Sequence, residues 1–121
     1  MSYSFQPSVA DVQAIRPFKM TADDLAGYIT LAETSPFNFL TSSAVPSDTA
    51  RKQLWALMAA HLATVMREPE PTAAGYGPAR VEWQGIQGTS AAFDDQAMAS
   101  SAPGREFLSR WRRYNRGWVL R

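Results

Sequence analysis

Residues 48–67 read DTARKQLWALMAAHLATVMR, and the reading of this run decides the fold. Leu54, Leu57, Met58, His61, Leu62 and Val65 recur at the three- and four-residue spacing of one helical face. Ala56, Ala59, Ala60 and Ala63 raise helix propensity and let neighbours approach closely, while Trp55 and Met66 sit at the flank of the stripe. Ser47 is placed to cap the run, and Asp48 suits the positive end of the helix dipole. The spacing predicts a long central helix over residues 48–67, around which the rest of the chain must pack.

Toward the N-terminus, Leu25, Tyr28, Ile29 and Ala32 lie on one helical face behind Thr21, a capping residue with Asp24 three positions on. This predicts a helix over residues 22–34, stopped by Ser35-Pro36. Between the two helices, Phe37, Phe39 and Leu40 make a loop too apolar to stand in water, so it is expected to pack on the core. Residues 1–14 are polar and without clear period, and read as an extended arm ahead of a helical domain over 15–117.

Toward the C-terminus, Glu68-Pro69-Glu70-Pro71 through Gly75-Tyr76-Gly77-Pro78 cannot continue a helix. Val81, Trp83, Ile86, Ala91 and Phe93 allow a short β-hairpin, with a long loop as the alternative; residues 94–102 read as loop. Phe107, Trp111 and Tyr114 then share a face, predicting a third helix over 104–115 that begins near Pro103 and ends at Asn115-Arg116-Gly117. Residues 118–121 follow as an apolar tail with a charged tip. The fold class expected is all-α: a small bundle of three main helices with a long loop or short hairpin insertion and an extended C-terminal tail.

Composition bounds the chemistry. The 121 residues make one domain's worth of chain, 45% apolar and 19% charged, as in an ordinary globular protein. There is no cysteine, which removes disulfides, thiolate nucleophiles and cysteine-based metal sites; His61 is the single histidine. On an apolar helix face, with no local motif supplying an orienting acid and a nucleophile, His61 reads as a core residue. The pairs Asp23-Asp24 and Asp94-Asp95 do not share a helix face, and the glycine runs at 75–77 and 85–88 lack phosphate-loop spacing. No catalysis, cofactor or metal is expected. Met1–Asp11 lacks the pattern of a secretory signal, and no apolar run is long enough to span a membrane.

The charge is unevenly placed. Residues 105–121 hold six arginines against Glu106, whereas residues 1–104 hold six basic and ten acidic groups. Arg105, Arg110, Arg112, Arg113, Arg116 and Arg121 include no lysine among them, and arginine's planar fork suits carboxylate or phosphate. Two uses compete with a merely solvated helix back: docking on an acidic protein and contact with nucleic acid. The apolar Trp118-Val119-Leu120 beyond the helix favours protein, since tryptophan and arginine dominate interface hot spots.

The order of segments carries a resemblance. Pro17-Phe18 precedes a Tyr-Ile-x-Leu-Ala helix (Tyr28 to Ala32) and an Ala-Ala-His-Leu-Ala helix (Ala59 to Ala63). A Val-x-Trp-x-Gly-x-x-Gly-x-x-x-x-Phe segment follows (Val81 to Phe93), then Gly-Arg-x-Phe-Leu-x-x-x-Arg-Arg (Gly104 to Arg113). Over residues 15–121 this resembles a family of small tailed-bacteriophage and prophage proteins grouped with the head–tail connector adaptors; Pro103 departs from the aromatic expected before Gly-Arg. The resemblance implies a structural virion protein at the head–tail junction, assembled in the host cytoplasm. It implies a homo-oligomeric ring, commonly twelve-fold, under the portal protein, with a tail-side connector or tail terminator protein as the next partner. Arg110, Arg112, Arg113, Arg116, Trp118, Leu120 and Arg121 are then the expected portal-binding residues. Glu68, Glu70, Glu82, Asp94 and Asp95 are expected to line a channel through which DNA passes without specific binding, because few positive charges make few phosphate contacts. No membrane is involved. A stopper or head-completion protein, and a DNA-binding protein using the arginine-rich helix, are the alternatives.

Overall fold

The computed structural model describes residues 4–35, 37–68 and 95–119, with Asp95 and the last four of these by backbone alone. Five helices follow in order: α1 (Val9–Ile15), α2 (Ala22–Ala32), α3 (Asp48–Met66), α4 (Asp95–Ala99) and α5 (Ala102–Val119). The protein is all-α, and no strand occurs among the described residues.

α3 is the axis of the bundle. Ser47 caps it through the Ala50 amide, 3.1 Å from its hydroxyl. Every residue from Leu54 to Val65 is buried, so α3 is covered on all sides rather than along one stripe. Trp55, expected at the flank, is fully buried, and its indole N–H donates to the Ile29 carbonyl at 2.8 Å. The reason is the number of neighbours: α1, α2 and α5 all pack against this one helix. The alanines make that crowding possible, because their short side chains let three helix axes come near.

α2 begins as the capping residue predicts, with the Thr21 hydroxyl accepting from the Asp24 amide at 3.2 Å. Asp24 pairs with Arg67 at 3.3 Å, tying the start of α2 to the end of α3. Leu25, Ile29 and Ala32 are its buried face. The loop after it packs on the core as expected: Phe39 and Val45 are buried, Phe37 and Leu40 half-buried. Arg51 holds this loop from α3, donating to the Ser42 carbonyl at 3.0 Å while pairing with Asp48 at 2.8 Å.

Three expectations are corrected. The arm expected to be extended contains α1, started by a reciprocal capping box: the Ser8 hydroxyl accepts from the Asp11 amide, and the Asp11 carboxylate accepts from the Ser8 amide. Val12 anchors it, fully buried, and Phe5 lies edge-on to Trp55 at 6.0 Å. Seven residues are too few to show a helical period, so packing on α3 stabilises what propensity alone would not. The expected loop at 94–102 contains α4, held by buried Ala97 and Met98. Finally, α5 starts at Ala102 and runs through Asn115-Arg116-Gly117 to Val119. One interior glycine costs a helix only about 1 kcal/mol, and no proline follows to stop it. The Asn115 side-chain Nδ2 donates back to the Trp111 carbonyl at 2.8 Å instead of capping the end. The hairpin considered for 81–93 lies outside the described residues.

Candidate functional site

The arginine-rich helix is fixed to the bundle by its aromatic face. Phe107 is fully buried, with Phe37 edge-on at 5.1 Å and Phe39 edge-on at 5.7 Å. Trp111 stacks near-parallel on Phe107 at 6.1 Å and meets Phe37 edge-on at 5.9 Å. These geometries are the favoured ones for aromatic quadrupoles, so the loop after α2 and the middle of α5 stabilise each other. The 3.6-residue period then turns Arg105, Arg112 and Arg113 outward, with Arg110 half-buried beside them.

Those arginines differ in their surroundings. Arg110 pairs with Glu106 one turn back at 2.8 Å and donates to the Gln53 side chain of α3 at 3.0 Å. Arg105 donates to the Ala99 carbonyl at 2.9 Å. Arg112 and Arg113 are both exposed, about 100° apart round the helix, and neither forms an ion pair among the described residues. Arg116 and Trp118 lie on the helical backbone of α5, while Leu120 and Arg121 lie outside the described residues.

Of the acids expected in a channel wall, Glu68 is engaged within the chain. Its carboxylate accepts from the Lys19 amide at 3.0 Å and the Met20 amide at 2.8 Å, and its carbonyl accepts from Arg16 at 2.6 Å. It thereby closes the turn between α1 and α2 against the end of α3. Asp95 is the first residue of α4; Glu70, Glu82 and Asp94 lie outside the described residues.

His61 sits where its apolar surroundings suggested, fully buried on α3, with Nδ1 2.7 Å from the Ser101 hydroxyl. Ser101 in turn accepts from the Gly104 amide at 2.9 Å and so caps α5 from inside the core. The contact has the spacing of a nucleophile–base pair. Both residues are fully buried, however, and as folded no substrate reaches them. The pair's role is to join α3 to the α4–α5 corner and satisfy a helix N-terminus. Among the described residues no three of His, Cys, Asp or Glu gather to hold a metal ion, and no helix is long and apolar enough to cross a membrane.

One feature is invisible without α1. Between α1 and α5, floored by α3, run two adjoining hollows of about 320 and 590 Å³ that share Ile15 and Leu57. Ile15 is 37% exposed, the one large apolar side chain so exposed among the described residues. Arg16 and Arg105 stand at one end of this groove, Lys52 and Arg110 at the other. Ser8-x-x-Asp11 is the sequence signal from which the start of α1 was open to prediction. Compared with known proteins, the chain matches no family model, no curated protein and no solved structure.

Proposed function

We propose that the chain is a structural subunit, a head–tail connector adaptor of a tailed phage or phage-like particle that forms a ring beneath the portal. The reading rests on the resemblance over residues 15–121. The observation that carries it is the pair Arg112 and Arg113, exposed on a helix whose other face is locked to the core by Phe107 and Trp111. A rigid helix presenting two guanidinium groups that have no ion-pair partner among the described residues is prepared to meet carboxylates bidentately, with little entropy left to lose at the backbone. Trp118 and Leu120 follow, to be buried on the portal beside those pairs. In this reading the ring extends the DNA channel, offers its other face to a tail-side connector or tail terminator protein, and takes its place at the head–tail junction of the virion.

Electron microscopy of the purified chain mixed with the portal from the same genome tests this. A ring stacked coaxially on the portal is the expected result, and deleting Trp118–Arg121 is expected to leave the fold intact and abolish attachment. Normal attachment by the truncated protein removes the docking role of that segment. The same exposed arginine pair also suits phosphate, which keeps a DNA-binding reading as the second. That reading predicts duplex affinity that falls steeply with salt and no association with the portal. A ring of portal-like symmetry separates the adaptor from a stopper.

A further inference from the structure

We infer that the groove between α1 and α5 is the docking site for α2 of a second copy of this chain, joining subunits head to tail. The groove has a built pattern. Ile15 and Leu57 are apolar at its middle, with cations at both ends: Arg16 and Arg105 at one, Lys52 and Arg110 at the other. Lys52 is met by Asp11 at 3.5 Å and Arg110 by Glu106 at 2.8 Å. Arg16 and Arg105 bond only to neutral acceptors among the described residues: Arg16 to the Thr64 hydroxyl and the Glu68 carbonyl, Arg105 to the Ala99 carbonyl. Asp11 and Glu106 line the groove as well, so among the described residues it carries four cations against two carboxylates.

α2 offers the complement. Its exposed face runs Asp23, Ala26, Gly27 and Thr30, with Glu33 at its C-terminal cap. Carboxylates stand at both ends, small residues lie between them, and neither Asp23 nor Glu33 has an ion-pair partner among the described residues. Gly27 is the particular clue. It sits inside the helix, and a Cβ built there meets nothing within 4 Å. The fold does not need this glycine, although it costs about 1 kcal/mol against alanine. A flat place at the centre of an acid-ended helix admits the Ile15 side chain and the groove rims of a neighbour at close range, and opposite charges set the register.

The two surfaces lie on different sides of α3. Trp55 reaches α2, whereas Gln53 and Leu57, two positions to either side of it and so about 200° round the helix, border the groove. Association through unlike faces is heterologous and propagates from copy to copy, closing into a ring when the rotation permits. The inference does not depend on the connector reading and has its own test.

Sedimentation velocity of the full chain over a range of concentration and salt, with Gly27→Lys and Ile15→Lys as single variants, decides it. The wild type is expected to self-associate, more weakly at high salt. Each variant is expected to fold as judged by circular dichroism, Gly27→Lys melting no lower than wild type, and to lose association by roughly tenfold or more. An equimolar mixture of the two variants is expected to form pairs and nothing larger. One intact groove then meets one intact α2, and the remaining ends are blocked by lysine on both sides. A wild type that stays monomeric, variants that associate like wild type, or a mixture that fails to pair each overturn the inference. A monomeric chain that still docks on the portal would leave the connector reading standing, and self-association without portal binding would leave this one.

Discussion

Replacing Gly104 by alanine adds one methyl group to the first turn of α5, and that methyl has nowhere to go. Its carbon would overlap the Met98 carbonyl oxygen and lie 2.7 Å from His61 Nδ1 and 2.8 Å from the Ser101 hydroxyl. All three are held: Met98 and Ser101 by the α4–α5 corner, His61 by complete burial on α3. Overpacking a well-filled interior costs about 1–3 kcal/mol, and contact with a backbone oxygen places this case at the upper end. Alanine's helix propensity returns at most about 1 kcal/mol, so a net loss near 2 kcal/mol is expected. With an unfolding entropy of roughly 0.25 kcal/mol/K for a chain of this length, that lowers the melting temperature by about 8 °C. Gly27→Ala supplies the internal comparison. It places the same methyl in open space, and it should gain up to about 1 kcal/mol and about 4 °C. Thermal and urea unfolding followed by far-UV circular dichroism measure both. Two shifts of the same sign would refute the argument that the Met98–His61–Ser101 corner makes Gly104 necessary.

The same corner predicts a ranking at His61 and Ser101. Ser101→Ala removes a helix cap, takes the hydroxyl away from His61 Nδ1 and strands the Gly104 amide, so a loss of about 2–3 kcal/mol in urea unfolding is expected. His61→Asn, which keeps a polar atom toward Ser101, should be milder than His61→Leu. Asp11 has a carboxyl held below its usual range, chiefly by the Ser8 backbone amide, with the Ser8 hydroxyl and Lys52 adding to this against partial desolvation. A lowered folded-state value contributes stability that is present above the ordinary carboxylate range and lost as pH falls through the lowered one. Asp11→Asn should therefore be less stable than wild type at neutral pH, by an amount that shrinks on acidification below the ordinary range and that salt reduces. A difference that grows with acidity would contradict the capping-box assignment.

What the sequence by itself determined is local. Ser47 and Thr21 cap the helices they were expected to cap, and the stripes of α2 and α3 face the core, because caps and periodicity act within a few residues of chain. The aromatic face of α5 was legible for the same reason. Tertiary structure decided the rest. α1 exists because Val12 has α3 to pack against. Trp55 is interior because α2 lies over it. α5 outruns its predicted end because a single glycine weakens a helix without breaking it. The groove is the clearest case: Ile15, Leu57 and Arg105 come from three separate helices, and no spacing along the chain records that they meet. Burial is a property of which elements share a neighbour, and that is settled only when α1, α2 and α5 compete for the surface of α3.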